Sequence, residues 1–180
     1  PIILLTAKNT LQSRMEGLEL GADAYIDKPF SMDLLLSQVT NLLNNRSNMR
    51  AYYFNSPIAN IKSMAYTKAD EKFLKKLNDI IDSHINDVNL HVDMIADLMN
   101  LSRPTLYRKI NGLSNVTPNE LIKISRLKKA AELILQGDMR IYEIAEAGGF
   151  NSQSYFSRAF SKQFNMSPSQ YAKENNIELK

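Results

Sequence analysis

The chain of 180 residues has no cysteine, which excludes disulfides, a thiolate nucleophile and any zinc-cysteine site, and is consistent with a reducing cytoplasm. It has only two histidines, His84 and His91, seven apart and without a third ligand, so capping or solvated roles are expected rather than metal binding. No apolar stretch approaches the roughly eighteen residues of a membrane span, and no secretory signal pattern is visible. Net charge is small: 22 Lys+Arg against 19 Asp+Glu leave +3. What the chain does have is eight methionines and 44% hydrophobic residues, suited to a helical core.

It also says one thing twice. Ile95-Ala96-Asp97, Leu101-Ser102, Leu106, Arg108 and Ile110 return as Ile144-Ala145-Glu146, Phe150-Asn151, Phe156, Arg158 and Phe160. The echo runs on through Val116-Thr117-Pro118-Asn119-Glu120 and Met166-Ser167-Pro168-Ser169-Gln170. Each copy reads as a helix-turn-helix: Ala96 or Ala145 where a second helix crosses closely, then a left-handed turn at Asn100 or Gly149. A second helix then buries Leu106 and Ile110, or Phe156 and Phe160, at spacing i, i+4. From Leu101 to Leu106 the first copy is one residue shorter than the second, so turns or caps should differ. Both copies lead into a capping box with proline at the first helical position, Thr117-Pro118-Asn119-Glu120 and Ser167-Pro168-Ser169-Gln170.

The outward stripe of the first repeated helix is Pro104, Tyr107, Arg108 and Asn111; that of the second is Ser154, Ser157, Arg158 and Ser161, with Gln153 beside it. Short polar groups let a helix backbone sit deep in a DNA major groove while Arg and Gln reach base edges. An ordinary solvated face would look the same on one helix, but duplication shifts the odds towards DNA. Charge agrees: residues 101–165 carry ten basic and five acidic side chains, while residues 1–100 net −2. The positive field thus sits on the repeat, where phosphates would need it. Between the copies, Leu121, Ile122, Ile124, Leu127, Ala130, Ala131, Leu133 and Ile134 follow helical spacing over Pro118 to about Gln136. Such a helix is about 28 Å long at 1.5 Å per residue, a strut able to hold two helices near the spacing of successive major grooves. Its Lys123, Arg126, Lys128 and Lys129 are expected to face the DNA backbone in part.

These residues resemble the AraC/XylS family of DNA-binding domains over 70–175, through Ile144-Ala145, Gly149-Phe150, Ser154-Tyr155-Phe156-Ser157-Arg158-Ala159-Phe160, Ser167-Pro168 and Tyr171. The resemblance implies seven helices in two helix-turn-helix subdomains joined by a long helix, with double-stranded operator DNA as partner. The DNA-binding set it implies is Arg103, Pro104, Thr105, Tyr107 and Arg108 in the first copy, and Asn151, Ser152, Gln153, Ser154, Ser157 and Arg158 in the second. Asn115 and Asn165 stand where the family usually has glycine, a departure that keeps the turn feasible.

The first 45 residues are of another kind. Ile2-Ile3-Leu4-Leu5 has the continuous apolar character of a buried parallel strand ending at Thr6. A helix to about Leu20, a strand around Gly21 to Ile26, Lys28-Pro29 as a candidate cis bond and a helix from Ser31 to about Asn44 are expected to follow. This β-α-β-α order resembles the second half of a response-regulator receiver domain. The resemblance implies phosphoryl sensing by Thr6, Lys28 and the aromatic Tyr25; an ammonium and a hydroxyl do neutralise a phosphoryl oxyanion. The acceptor Asp and the acidic residues that hold Mg²⁺ in a complete receiver would come from strands before residue 1, so no phosphorylation, cofactor or catalysis is expected of these residues. Two strands and two helices make too little core to stand alone, so self-association into a homodimer is expected.

Residues 46–69 read as a linker that is polar at Arg46-Ser47-Asn48 and aromatic at Tyr52-Tyr53-Phe54, and residues 176–180 as a tail. The expected fold class is therefore mainly α: an all-α DNA-binding domain preceded by a truncated α/β receiver fragment. This order resembles the output end of a hybrid two-component sensor, with a stand-alone response regulator as the near alternative. A phosphoryl-binding fragment without DNA binding and a helical protein-interaction module remain open at this point.

Overall fold

The structure, a computed structural model, describes residues 1–7, 12, 15 and 22–179. Two short strands, β1 (Ile3–Thr6) and β2 (Ala24–Asp27), pair in parallel with Ile3 opposite Ala24 and Thr6 opposite Asp27. The helix expected between them lies outside the described residues. Lys28-Pro29 is cis, as expected. Ile3 and Leu4 are half-buried while Ile2 and Leu5 are exposed, because among the described residues β1 has β2 as its only strand neighbour.

Helix α1 spans Met32–Asn55, with Ser31 as N-cap accepting from the Leu34 amide at 3.1 Å. It runs eleven residues past the expected end at Asn44, so the expected linker at 46–69 begins as helix. The polar stretch Asn44 to Asn48 contains no glycine or proline to stop a helix, and tertiary anchoring of the last turns overrides its weak propensity. Tyr53 is the anchor, only 1% exposed. A 3₁₀ turn (Ile61–Met64) completes the connection to Thr67.

Seven helices follow, as the family resemblance implied: α2 (Lys68–Ser83), α3 (Val92–Met99), α4 (Arg103–Ser114), α5 (Pro118–Gln136), α6 (Ile141–Ala147), α7 (Gln153–Phe164) and α8 (Pro168–Glu174). Thr67 and Asp70 form a reciprocal capping box at the start of α2. His84 stands at the C-cap of α2, its Nδ1 donating to the Ile80 carbonyl at 2.9 Å; His91 stands at the N-cap of α3 but makes no side-chain cap bond, its Nδ1 donating instead to the Asn89 carbonyl at 2.7 Å.

Helix α5 belongs to two hydrophobic cores. Its N-terminal half gives Leu121, Ile122 and Ile124 to a core shared with Leu77, Ile95, Leu106 and Ile110. Its C-terminal half gives Leu127, Ala130, Ala131 and Ile134 to one shared with Ile144, Phe156 and Phe160. The second core is aromatic: Phe160 meets Phe156, Phe164 and Tyr171 at centroid separations of 5.7, 4.8 and 5.7 Å.

Candidate nucleic-acid interface

The two repeated turns close in the same way. Asn100 (φ 56°) and Gly149 (φ 74°) are left-handed. The amide after each reaches back five residues, Leu101 to the Ala96 carbonyl and Phe150 to the Ala145 carbonyl, both at 2.9 Å. This is the Schellman arrangement, with Leu101 or Phe150 as its apolar contact. Gly149 is needed twice over, since a Cβ there would lie 2.3 Å from the Ile85 carbonyl oxygen.

The expected length difference falls in the turn alone. Ser102 and Ser152 are the N-caps of α4 and α7, and each Oγ accepts an amide three residues on, at 3.4 Å in both. Asn151 is therefore the extra residue, and from the caps onward the copies match at an offset of fifty. Asn115 (φ 61°) and Asn165 (φ 58°) end both helices, so asparagine does replace glycine there. At the following helices the copies diverge. Ser167 and Gln170 complete a capping box, whereas Thr117 caps α5 but Glu120 turns to Lys123 at 3.8 Å, so the first expected box is only half made.

The exposed faces carry the expected stripe in part. Arg103, Pro104, Arg108, Asn111, Asn151, Gln153, Ser154 and Arg158 are exposed; Thr105, Tyr107, Ser157 and Ser161 are half-buried. Tyr107 lies against the first core, and Thr105 Oγ1 sits 2.9 Å from the Ser102 hydroxyl. Arg103 is bridged to Asp93 at 3.0 Å and stacks at 5.7 Å over Tyr107, and these neighbours raise its pKa further, the Tyr107 bond most. Arg108 and Arg158, at matching positions, make no ion pair among the described residues. Between the copies runs a cleft of about 630 Å³, bordered by Asn119 and Lys123 of α5 and by Asn151, Ser152 and Tyr155 at the head of α7.

The basic residues of α5 differ from expectation. Lys128 is 7% exposed: its ammonium donates to the Ser56 carbonyl and lies 4.3 Å above the Tyr53 ring. Burial pulls its pKa down to about 8, and Tyr53, also desolvated, is pushed up to about 12. Lys128 thus serves the protein interior, because the apolar period of α5 turns it towards α1. Arg126 donates to the Asp87 carbonyl at 2.6 Å, with its pKa lowered by desolvation. Lys129 pairs with Glu132 at 3.1 Å, and of these four only Lys123 and Arg126 border the cleft. Sequence reasoning missed Arg126, Lys128, Arg50 and Gln163 as structural contacts, since each acts on a carbonyl distant in sequence.

At the N-terminal sheet, Thr6 ends β1, Tyr25 lies in β2 and Lys28 follows β2. The Lys28 amide donates to the Thr6 carbonyl at 2.7 Å, so two of the three expected phosphoryl-sensing residues share one sheet end. Among the described residues no cluster of His, Cys, Asp or Glu could hold a metal, and no helix is long and apolar enough to cross a membrane.

Residues 95–174 match a family profile described as a helix-turn-helix domain. Over 171 residues, 95% of its length, the chain is 37% identical to histidine kinase P4 of Formosa agariphila, of which it spans 12%. The chain spans less than half the length of the curated relatives it matches. Among solved structures, the C-terminal domain of AraT, a response regulator from Geobacillus stearothermophilus, superposes with a TM-score of 0.51 at 34% identity, covering 56% of this chain and 83% of that one. An AraC-type transcriptional regulator from Chromobacterium violaceum gives 0.56 at 25% identity, covering 59% and 95%. Matched turns, matched caps and one helix shared by two cores thus agree with these likenesses, and the chain carries an AraC-type helix-turn-helix domain.

Proposed function

We propose that the chain is the sequence-specific DNA-binding output end of a two-component regulator, with α4 and α7 inserted in successive major grooves. The observation that carries this is the pair Arg108 and Arg158, exposed, free of ion pairs among the described residues and fifty residues apart on helices with the same caps. A guanidinium in that position is suited to the bidentate contact with guanine O6 and N7. Base contacts are assigned to Pro104, Tyr107 and Arg108 on α4 and to Gln153, Ser154, Ser157 and Arg158 on α7. Arg103, Thr105, Asn151 and Ser152 lie at the helix starts, where backbone phosphates pass.

In this proposal the DNA-binding domain covers residues 70–175, and residues 1–45 are the end of a receiver, with Thr6, Tyr25 and Lys28 as its phosphoryl-sensing remnant. The likeness to a histidine kinase over nearly the whole chain favours a hybrid sensor, and the likeness to a response regulator's C-terminal domain supports a phosphorelay output for the same helices. Self-association through residues 1–45 belongs to the same reading, and light scattering at micromolar concentration measures it.

Selection from random duplexes tests the central claim. One bipartite motif is expected, its segments about 10 base pairs apart, with affinity falling steeply as salt rises. Retention that is independent of sequence, or absent at low salt, would overturn it.

A further inference from the structure

The end of α1 touches both halves of the DNA-binding domain. Arg50 Nε donates to the Leu113 carbonyl and its Nη2 to the Gly112 carbonyl, each at 2.8 Å. Those carbonyls lie in the last turn of α4, which has no basic residue of its own there, so the guanidinium from α1 satisfies them and meets the negative end of the helix. The relation is reversed at the end of α1, which also has no basic residue in its last turn. Gln163 of α7 donates to the Phe54 carbonyl at 2.8 Å, and Lys128 of α5 donates to that of Ser56. Tyr53 fills the space between, buried in the first core beneath the Lys128 ammonium. Three helices therefore meet one helix end through hydrogen bonds to backbone carbonyls at the ends of α1 and α4.

We propose that this helix end is a clamp fixing the mutual orientation of α4 and α7, with Arg50, Lys128 and Gln163 as positioning residues for two-groove binding. Each subdomain has its own core and keeps its own recognition surface without the clamp. Loosening it lowers the effective concentration of one recognition helix over its groove once the other is bound. Because α1 is continuous from Met32 to Asn55, a rotation applied at its N-terminal end is carried to the clamp. The inference rests on the proposed DNA binding, and its test has an arm that does not.

The chain lacks cysteine, so Asn111→Cys and Lys162→Cys place one spin label on each repeated helix. In the DNA-free protein, adding Arg50→Ala and Gln163→Ala should broaden the label-to-label distance distribution while the helical thermal transition persists. On the selected duplex the double variant should lose about tenfold or more in affinity and tolerate a one-base-pair insertion between the segments, with binding to a duplex holding one segment changed by less than about twofold. An unchanged distance distribution, or equal losses on both duplexes, would overturn the clamp. If the wild type holds no duplex, the DNA reading fails while the label distances still judge the clamp. Should the double variant not fold, Arg50→Lys and Gln163→Ala singly carry both readouts, with smaller changes of the same sign expected; their absence counts against the clamp.

Discussion

The two helix-turn-helix units share a frame and differ in what they hang on it. Turn hydrogen bonds, serine caps and the outward arginine are the same in both. The first unit has an aliphatic core, and its surface is tied down: Arg103 to Asp93, Tyr107 to the core, and the end of α4 to Arg50. The second has an aromatic core, and Gln153, Ser154 and Arg158 stand exposed on it. Backbone closure is thus the repeated invention. Core volume and surface engagement are what each copy was free to change.

The cores give the largest expected contrast. Phe160→Ala removes the centre of the aromatic cluster and should destabilise by about 3–5 kcal/mol, against about 2–5 kcal/mol for Ile110→Ala at the matching position. Urea denaturation compares the two; a smaller loss for Phe160→Ala than for Ile110→Ala would mean that the second core collapses to fill its cavity.

The turns come next. Gly149→Ala meets both a left-handed backbone and the Ile85 carbonyl, so a loss of about 2–4 kcal/mol is expected, whereas Asn100→Gly should shift stability by a few tenths of a kcal/mol at most. Equal effects at the two turns would show that the close approach to Ile85 is relieved by movement.

Recognition should be more even. Arg108→Ala and Arg158→Ala are each expected to weaken binding to a selected site by about 1–3 kcal/mol and to relax preference in different segments of it. Arg103→Ala, already committed to Asp93, should do less. Competition binding on single-base variants of the site reads this out, and relaxation of the same segment by both mutants would break the pairing of one helix with one groove.

A further contrast concerns Lys128. Its folded pKa, about 8, lies below the ordinary lysine value, so the folded state releases this proton first as pH rises. Between about pH 8 and the unfolded value near 10.5 the unfolded chain holds more protons, and stability rises with pH through that window. Thermal melts of wild type and Lys128→Met at pH 7.5 and 10 should show the wild type gaining on the variant. A constant difference would mean that the ammonium is better solvated than its burial implies.

Local chemistry determined much of this protein from sequence alone. Both left-handed turns, the buried i, i+4 pairs of the repeated helices, the proline starts of α5 and α8 and the period of α5 depend on neighbours within a few residues, and all of these are legible as residue types. The outward arginines were legible too, because a period of 3.6 assigns faces once the buried positions are known. Tertiary structure decided the rest. Helix α1 continues past Asn44 because Tyr53 is buried against a distant core, and a polar stretch without a breaker carries no local signal of that. Lys128 is interior because Ser56 and Tyr53 come to it, and the carbonyls at the ends of α1 and α4 accept from side chains 62 to 109 residues away. Such partners are set by how helices pack on one another, and a hydrogen bond to a backbone carbonyl leaves no complementary residue type for sequence to reveal.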